Sequence, residues 1–211
     1  MRCAPASAPA DGGPTRDPCG SAGRIAGMDW NYPSTPVDRR AEGIAEIARR
    51  VVDQIGDTHL PGTRFTYDAR EMLRATREIE ASVRGGGKLW VGFQNASKLD
   101  HEAGRYENLT ASGTDVVAFG TGRPALPSEV RLRWIELEPS TVRLENQWFL
   151  VTTDPEPIAF VSWEVSEPSR FGVGGISAPD KEFVGFVTDD IRVISALVSH
   201  LQAAAMAADP R

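Results

Sequence analysis

Residues 144–165, LENQWFLVTTDPEPIAFVSWEV, constrain the fold more than any other stretch. Two apolar runs, 147–151 and 158–165, flank the segment Thr153-Asp154-Pro155-Glu156-Pro157. The runs are rich in aromatic and β-branched residues, which suit a pleated, packed surface. The segment between them carries turn chemistry, because proline fixes φ and cannot donate to a ladder. The pattern predicts an antiparallel hairpin with a loop of roughly five residues. Neither run alternates cleanly between apolar and polar: Trp148, Phe149, Leu150 and Val151 are consecutive, as are Ile158, Ala159, Phe160 and Val161. A strand apolar on both sides needs cover on both faces, so the hairpin belongs inside a sheet with helices on each side.

Length and charge bound what surrounds that hairpin. The chain has 211 residues, 41% hydrophobic and 25% charged, within the range of globular proteins. Residues 1–27 are rich in Ala, Gly and Pro and nearly free of large apolar groups. Such a stretch cannot bury enough surface to offset its ordering entropy, so we expect a disordered tail, then a single domain over 28–211. Met28 is an alternative natural start. The net charge of −6 and the lack of a basic cluster argue against direct contact with nucleic acid. No apolar run reaches the roughly 20 residues of a membrane helix, and no signal peptide stands out. Cys3 and Cys19 both lie in the tail without metal-type spacing. The expected setting is cytoplasmic, without a membrane partner.

The remaining elements follow from periodicity and caps. A first helix is expected after Thr35 and Pro36, with the stripe Val37, Ala41, Ile44, Ala48, Val51 and Ile55. A second begins near Asp68 with Glu71 as capping-box partner, and carries Met72, Thr76, Ile79 and Val83. Residues 88–94 (KLWVGFQ) read as a strand. Ser97, with Asp100 three residues on, opens a helix carrying Leu99, Ala103, Tyr106 and Thr110, and 115–119 (DVVAF) is the next strand. Strand, helix and strand within about 30 residues make a βαβ unit with parallel strands. Residues 132–137 alternate like an edge strand, and 167–180 form a long Gly/Pro-containing loop. Residues 183–187 form a last strand, and Asp189 or Asp190 caps a final helix with the stripe Ile191, Ile194, Val198, Leu201 and Ala205. The expected fold is α/β (α+β): one mixed sheet of five to six strands with a βαβ unit, a central antiparallel hairpin, and helices on both faces.

Motifs for chemistry are sparse. His59, His101 and His200 are scattered, and no metalloprotease, nucleophile-elbow or phosphate-loop signature occurs. Gly172-Val173-Gly174-Gly175 is not followed at once by a helix, which a phosphate cradle needs. The pair Asp189-Asp190 is explained by a helix cap. No metal site and no catalytic set is expected, and no cofactor is indicated. The hairpin is different. If its loop closes symmetrically, Asn146 faces Glu164, Trp148 faces Ser162, and Leu150 faces Phe160. One face then gathers Asn146, Ser162 and Glu164 around the flat ring of Trp148, the composition of a small-molecule site. Gln94 and Trp90, on the 88–94 strand, are further candidates. The alternative is that these polar groups meet water at the hairpin's open end, and a one-residue slip would scatter them.

The phrases FTYDAREMLRATREIE, LWVGFQNASKL, LENQWFLV, IAFVSWE and FVGFVTDD together resemble the DICT domain, a sensory domain of diguanylate cyclases and two-component systems. The resemblance runs from about Phe65 to the final helix. It implies an input module that binds a small ligand or partner and acts through a separate signalling output protein: a kinase, a cyclase or a transcription regulator. It supplies no ligand residues. The chain has no cyclase or kinase signature of its own, and a homo-oligomer is open. Two other readings compete: a small-metabolite enzyme with Glu164 as acid or base, and a pure protein-interaction subunit. The lack of a nucleophile–base pair counts against the enzyme.

Overall fold

The computed structural model describes residues 62–66, 68–137, 147–164, 173–175, 178 and 181–208. The tail, the helix expected over 35–55 and Asn146 lie outside the described residues, as does most of the 167–180 loop. Within them, seven strands form one mixed sheet: β1 (Arg64–Thr66), β2 (Lys88–Asn95), β3 (Asp115–Thr121), β4 (Arg133–Glu136), β5 (Gln147–Thr152), β6 (Ile158–Glu164) and β7 (Phe183–Thr188). Their order is β1-β7-β6-β5-β2-β3-β4. β2, β3 and β4 run parallel, while β5, β6, β7 and β1 alternate antiparallel beyond β2. β4 is an edge strand, as its alternation predicted. The strand beyond the expected six is β1, whose three residues are too short for any period to register.

Helices α1 (Ala69–Ser82) and α2 (Ala96–Ala111) cover one face, and α3 (Ile191–Ala207) covers the other. Asp68 caps α1 by accepting from the N–H groups of Arg70 and Glu71. Such a cap stabilises a helix by about 1 kcal/mol. Glu71 does not complete a capping box. Its carboxylate accepts instead from the Thr66 hydroxyl, which in turn accepts from the Asp68 N–H. α2 starts one residue before the expected Ser97, because β2 runs straight into it through the extended Asn95. Asp100 is not a cap there, and accepts from the Ala125 N–H in the loop after β3. Asp190 caps α3, whose buried stripe is Val193, Ile194, Leu197, Leu201 and Ala205. Ile191, expected on that stripe, is exposed because it is the first helical residue.

The hairpin register is the symmetric one: Trp148 pairs with Ser162 and Leu150 with Phe160. The period of two then sorts the consecutive apolar residues onto two cores. Phe149, Val151, Ala159, Val161 and Trp163 meet α3. Leu150 and Phe160 meet α1 and α2, with Trp148 packed against them. Trp148 and Trp163 thus lie on opposite faces. Trp163 is buried; Trp148 is half-buried rather than buried as its run predicted. Gly92, in the centre of β2, makes room for Phe149: a Cβ there would sit 2.2 Å from the Phe149 ring.

Candidate functional site

β2 does not end regularly. Its pairing with β3 shifts between Gly92 and Asn95, and Gln94 adopts φ +62°, the one non-glycine residue with positive φ among the described residues. A left-handed residue with a Cβ is strained, and such strain concentrates at ligand sites. Regular alternation would send Gln94 toward α3 with Trp90. The irregularity turns it to the α1–α2 side, where its side-chain amide donates to Glu164 Oε2 at 3.0 Å. Glu164 ends β6, and its other oxygen lies 2.9 Å from Lys181 Nζ. Lys181 comes from the segment before β7, where Phe183 pairs with Glu164.

Around this group lies a cavity of about 480 Å³, bounded by α1, α2 and the ends of β2, β5 and β7. That volume lies within the range of small-molecule sites. Its apolar walls are Leu73, Phe93, Tyr106, Trp148, Leu150 and Phe183. Its polar lining includes Thr76, Gln94, Ser97, Lys98, His101 and Lys181, with Gly174 and Gly175 at the rim. The Lys98 ammonium donates to the Gly174 carbonyl. Burial, then repulsion from Lys181, lower the Lys98 pKa from 10.5, and Glu164 opposes the change.

A second polar group lies between α1 and α2, and its Arg77, Glu80 and Glu102 also line the cavity. Arg77 of α1 pairs with Glu80 at 2.9 Å and with Glu102 of α2 at 3.2 Å. Arg105 pairs with Glu102 at 2.8 Å and with Glu80 at 3.3 Å. The four charges alternate and tie the two helices together. The Tyr106 hydroxyl donates to Glu80 Oε1 at 3.1 Å. Burial and, next, the Glu80 carboxylate push the Tyr106 pKa well above 10.

The structure places the residues singled out in the sequence unevenly. Gln94 and Trp148 line the cavity. Glu164 is one layer behind, its carboxylate taken by Gln94 and Lys181. Ser162 is buried under α1, 3.6 Å from Met72 Sδ, and does not reach the cavity. Trp90 packs on the opposite face with α3, because the period of two separates it from its neighbours Leu89 and Val91. Lys98, Lys181, Tyr106 and the α1–α2 charge group escaped the sequence reading. Lys181 could have been found only with the strand order in hand, since β7 must first be known to lie beside β6. Among the described residues, no cluster of His, Cys, Asp and Glu is suited to a metal ion, and no helix is long and apolar enough to cross a membrane.

No curated protein matches the sequence. Among solved structures, the fold is similar to that of an archaeal chromatin protein, TrmBL2, at 10% identity and a TM-score of 0.39, over 75% of this chain and 57% of that one. It is also similar to NucT from Helicobacter pylori, at 12% identity and a TM-score of 0.41, over 67% of this chain and 94% of that one. This chain therefore spans little more than half the length of the chromatin protein. The profile of one family, the sensory domain in diguanylate cyclases and two-component systems, matches residues 49–162, more than half of the sequence. The chain therefore belongs to the DICT family of sensory domains.

Proposed function

We propose that the chain is an input module whose stimulus is a small molecule held in the cavity between α1, α2 and the sheet. The observation that carries this reading is the company Gln94 keeps. A strained residue turns out of the regular strand to meet a buried ion pair at the wall of a mostly apolar cavity. Structural economy alone does not favour such a residue, since a glycine there would remove the strain. Gln94 and Trp148 meet the ligand, and Glu164 acts behind them by fixing Gln94 and Lys181. Ligand contact with α1 and α2 is the route by which occupancy alters the outer surface, and a separate output protein in a bacterial cytoplasm reads it. Family membership supports the sensory role.

The placement of Glu164 counts against the enzyme reading. A general acid must come within hydrogen-bond reach of the substrate's proton, and Glu164 lies behind Gln94 and Lys181. Native mass spectrometry of the purified protein tests the proposal. A retained small molecule, lost on Trp148→Ala, is the expected result. A protein that holds nothing, and whose unfolding temperature responds to no member of a metabolite panel, would leave the pure interaction subunit standing.

A further inference from the structure

We infer that the cavity takes a flat, largely apolar molecule bearing one anionic group, with Lys98 as that group's counterion. The inference rests on the reading of the cavity as a ligand site and adds the ligand's chemistry. Charge balance decides the sign. Arg77 and Arg105 are matched by Glu80 and Glu102. Lys181 is matched by Glu164. Lys98 remains: its hydrogen bond goes to a neutral carbonyl, and no carboxylate pairs with it among the described residues. Among the described residues, a cationic ligand would find every carboxylate at the cavity already engaged, whereas an anion would find Lys98 without an ion-pair partner.

Two further features favour an anion beside Lys98. Lys98 is the third residue of α2, in the turn whose unpaired N–H groups carry the positive end of the helix dipole. Burial and Lys181 also make the charged form of Lys98 costly, and a nearby anion would offset both effects. The body of the ligand is set by the aromatic walls Phe93, Tyr106, Trp148 and Phe183, which suit a flat ring system.

The test uses matched pairs: benzoate and benzamide, naphthoate and naphthamide, indole acetate and indole acetamide. Each pair keeps the ring and differs in charge. Binding is read by calorimetry on the full chain. The acid should bind about 10- to 100-fold more tightly than its amide in at least one pair, the range of a charge-assisted hydrogen bond. Lys98→Gln should bring that ratio to about one, and Lys98→Arg should restore much of it. Arg123→Gln, an exposed site paired with Glu136, should keep the wild-type ratio. Amides that bind as well as their acids would overturn the anion and leave the cavity as a ligand site. A preference for acids that survives Lys98→Gln would overturn the role of Lys98. If no compound binds and native mass spectrometry finds no retained molecule, both readings fall.

Discussion

Glu164 and Lys181 lie 2.9 Å apart with side chains 0% and 3% exposed, an ion pair almost wholly withdrawn from water. Each charge there depends on the other. Removing one partner of a buried pair typically costs about 3–5 kcal/mol, because the survivor is left uncompensated. Glu164→Gln therefore should not leave the fold untouched, although it preserves shape. We expect urea unfolding to show a loss of that order. Adding Lys181→Met should recover most of it, since the new Gln can still accept from Gln94. A single variant as stable as wild type would mean that the pair contributes nothing.

The backbone at Gln94 offers a cleaner signature. At most positions a Gly variant is less stable than an Ala variant, because glycine loses more freedom on folding. At φ +62° the order should invert. Gln94→Ala keeps the strain and loses the bond to Glu164, whereas Gln94→Gly loses only the bond. The Gly variant should be more stable than the Ala variant by about 1 kcal/mol. Chemical denaturation of the two proteins decides it, and the usual order would show that no strain resides there.

The two hairpin tryptophans should separate by face. Trp163→Ala empties a filled site in the α3 core and should cost about 3–5 kcal/mol. Trp148→Ala should cost less, because Trp148 is half-buried at a cavity wall. Its ring packs edge-on to Phe160, with centroids 4.8 Å apart. Ligand should quench the fluorescence of Trp148 and leave that of Trp163 unchanged, as single-tryptophan variants would report.

Gly92 should resist enlargement. A Cβ 2.2 Å from the Phe149 ring forces the ring or the strand to move. Gly92→Ala should destabilise by about 1–3 kcal/mol, the usual scale of overpacking. Pairing it with Phe149→Leu should return part of the loss. Additive losses in the two variants would place the strain elsewhere.

At the α3 cap the prediction concerns acid. The Asp190 pKa is lowered from 3.8, chiefly by the hydrogen bond from the Arg192 side chain. A carboxylate with a depressed folded pKa contributes stability that is fully present well above 3.8 and is lost as pH falls through the lower folded value. Asp190→Asn keeps a capping side chain without that titration. The stability difference between wild type and variant should shrink as the pH drops below 3.8. A constant difference across that window would exclude Asp190 as its source.

Local patterns determined much of this fold. Turn chemistry at 153–157 and flanking runs of fixed length left one symmetric hairpin, and an antiparallel register follows from its loop. Caps and stripes placed α1 and α3, and the βαβ spacing made β2 and β3 parallel. These signals are legible because each involves residues close along the chain, or a period that one sheet or helix face imposes. The candidate site was legible only in part. Trp148 and Glu164 were visible because a strand's period assigns its own faces. Regular alternation puts Trp90 and Gln94 on one face, the α3 face, and only the irregularity in β2 turns Gln94 away from Trp90 to the cavity. The tertiary structure decided the rest: Lys181 meets Glu164 because β7 lies beside β6, and Lys98 reaches the cavity because β2 passes into α2 without a loop. Those meetings join residues of different elements, where neither periodicity nor local propensity carries information. Their positions follow instead from the order in which the strands pack.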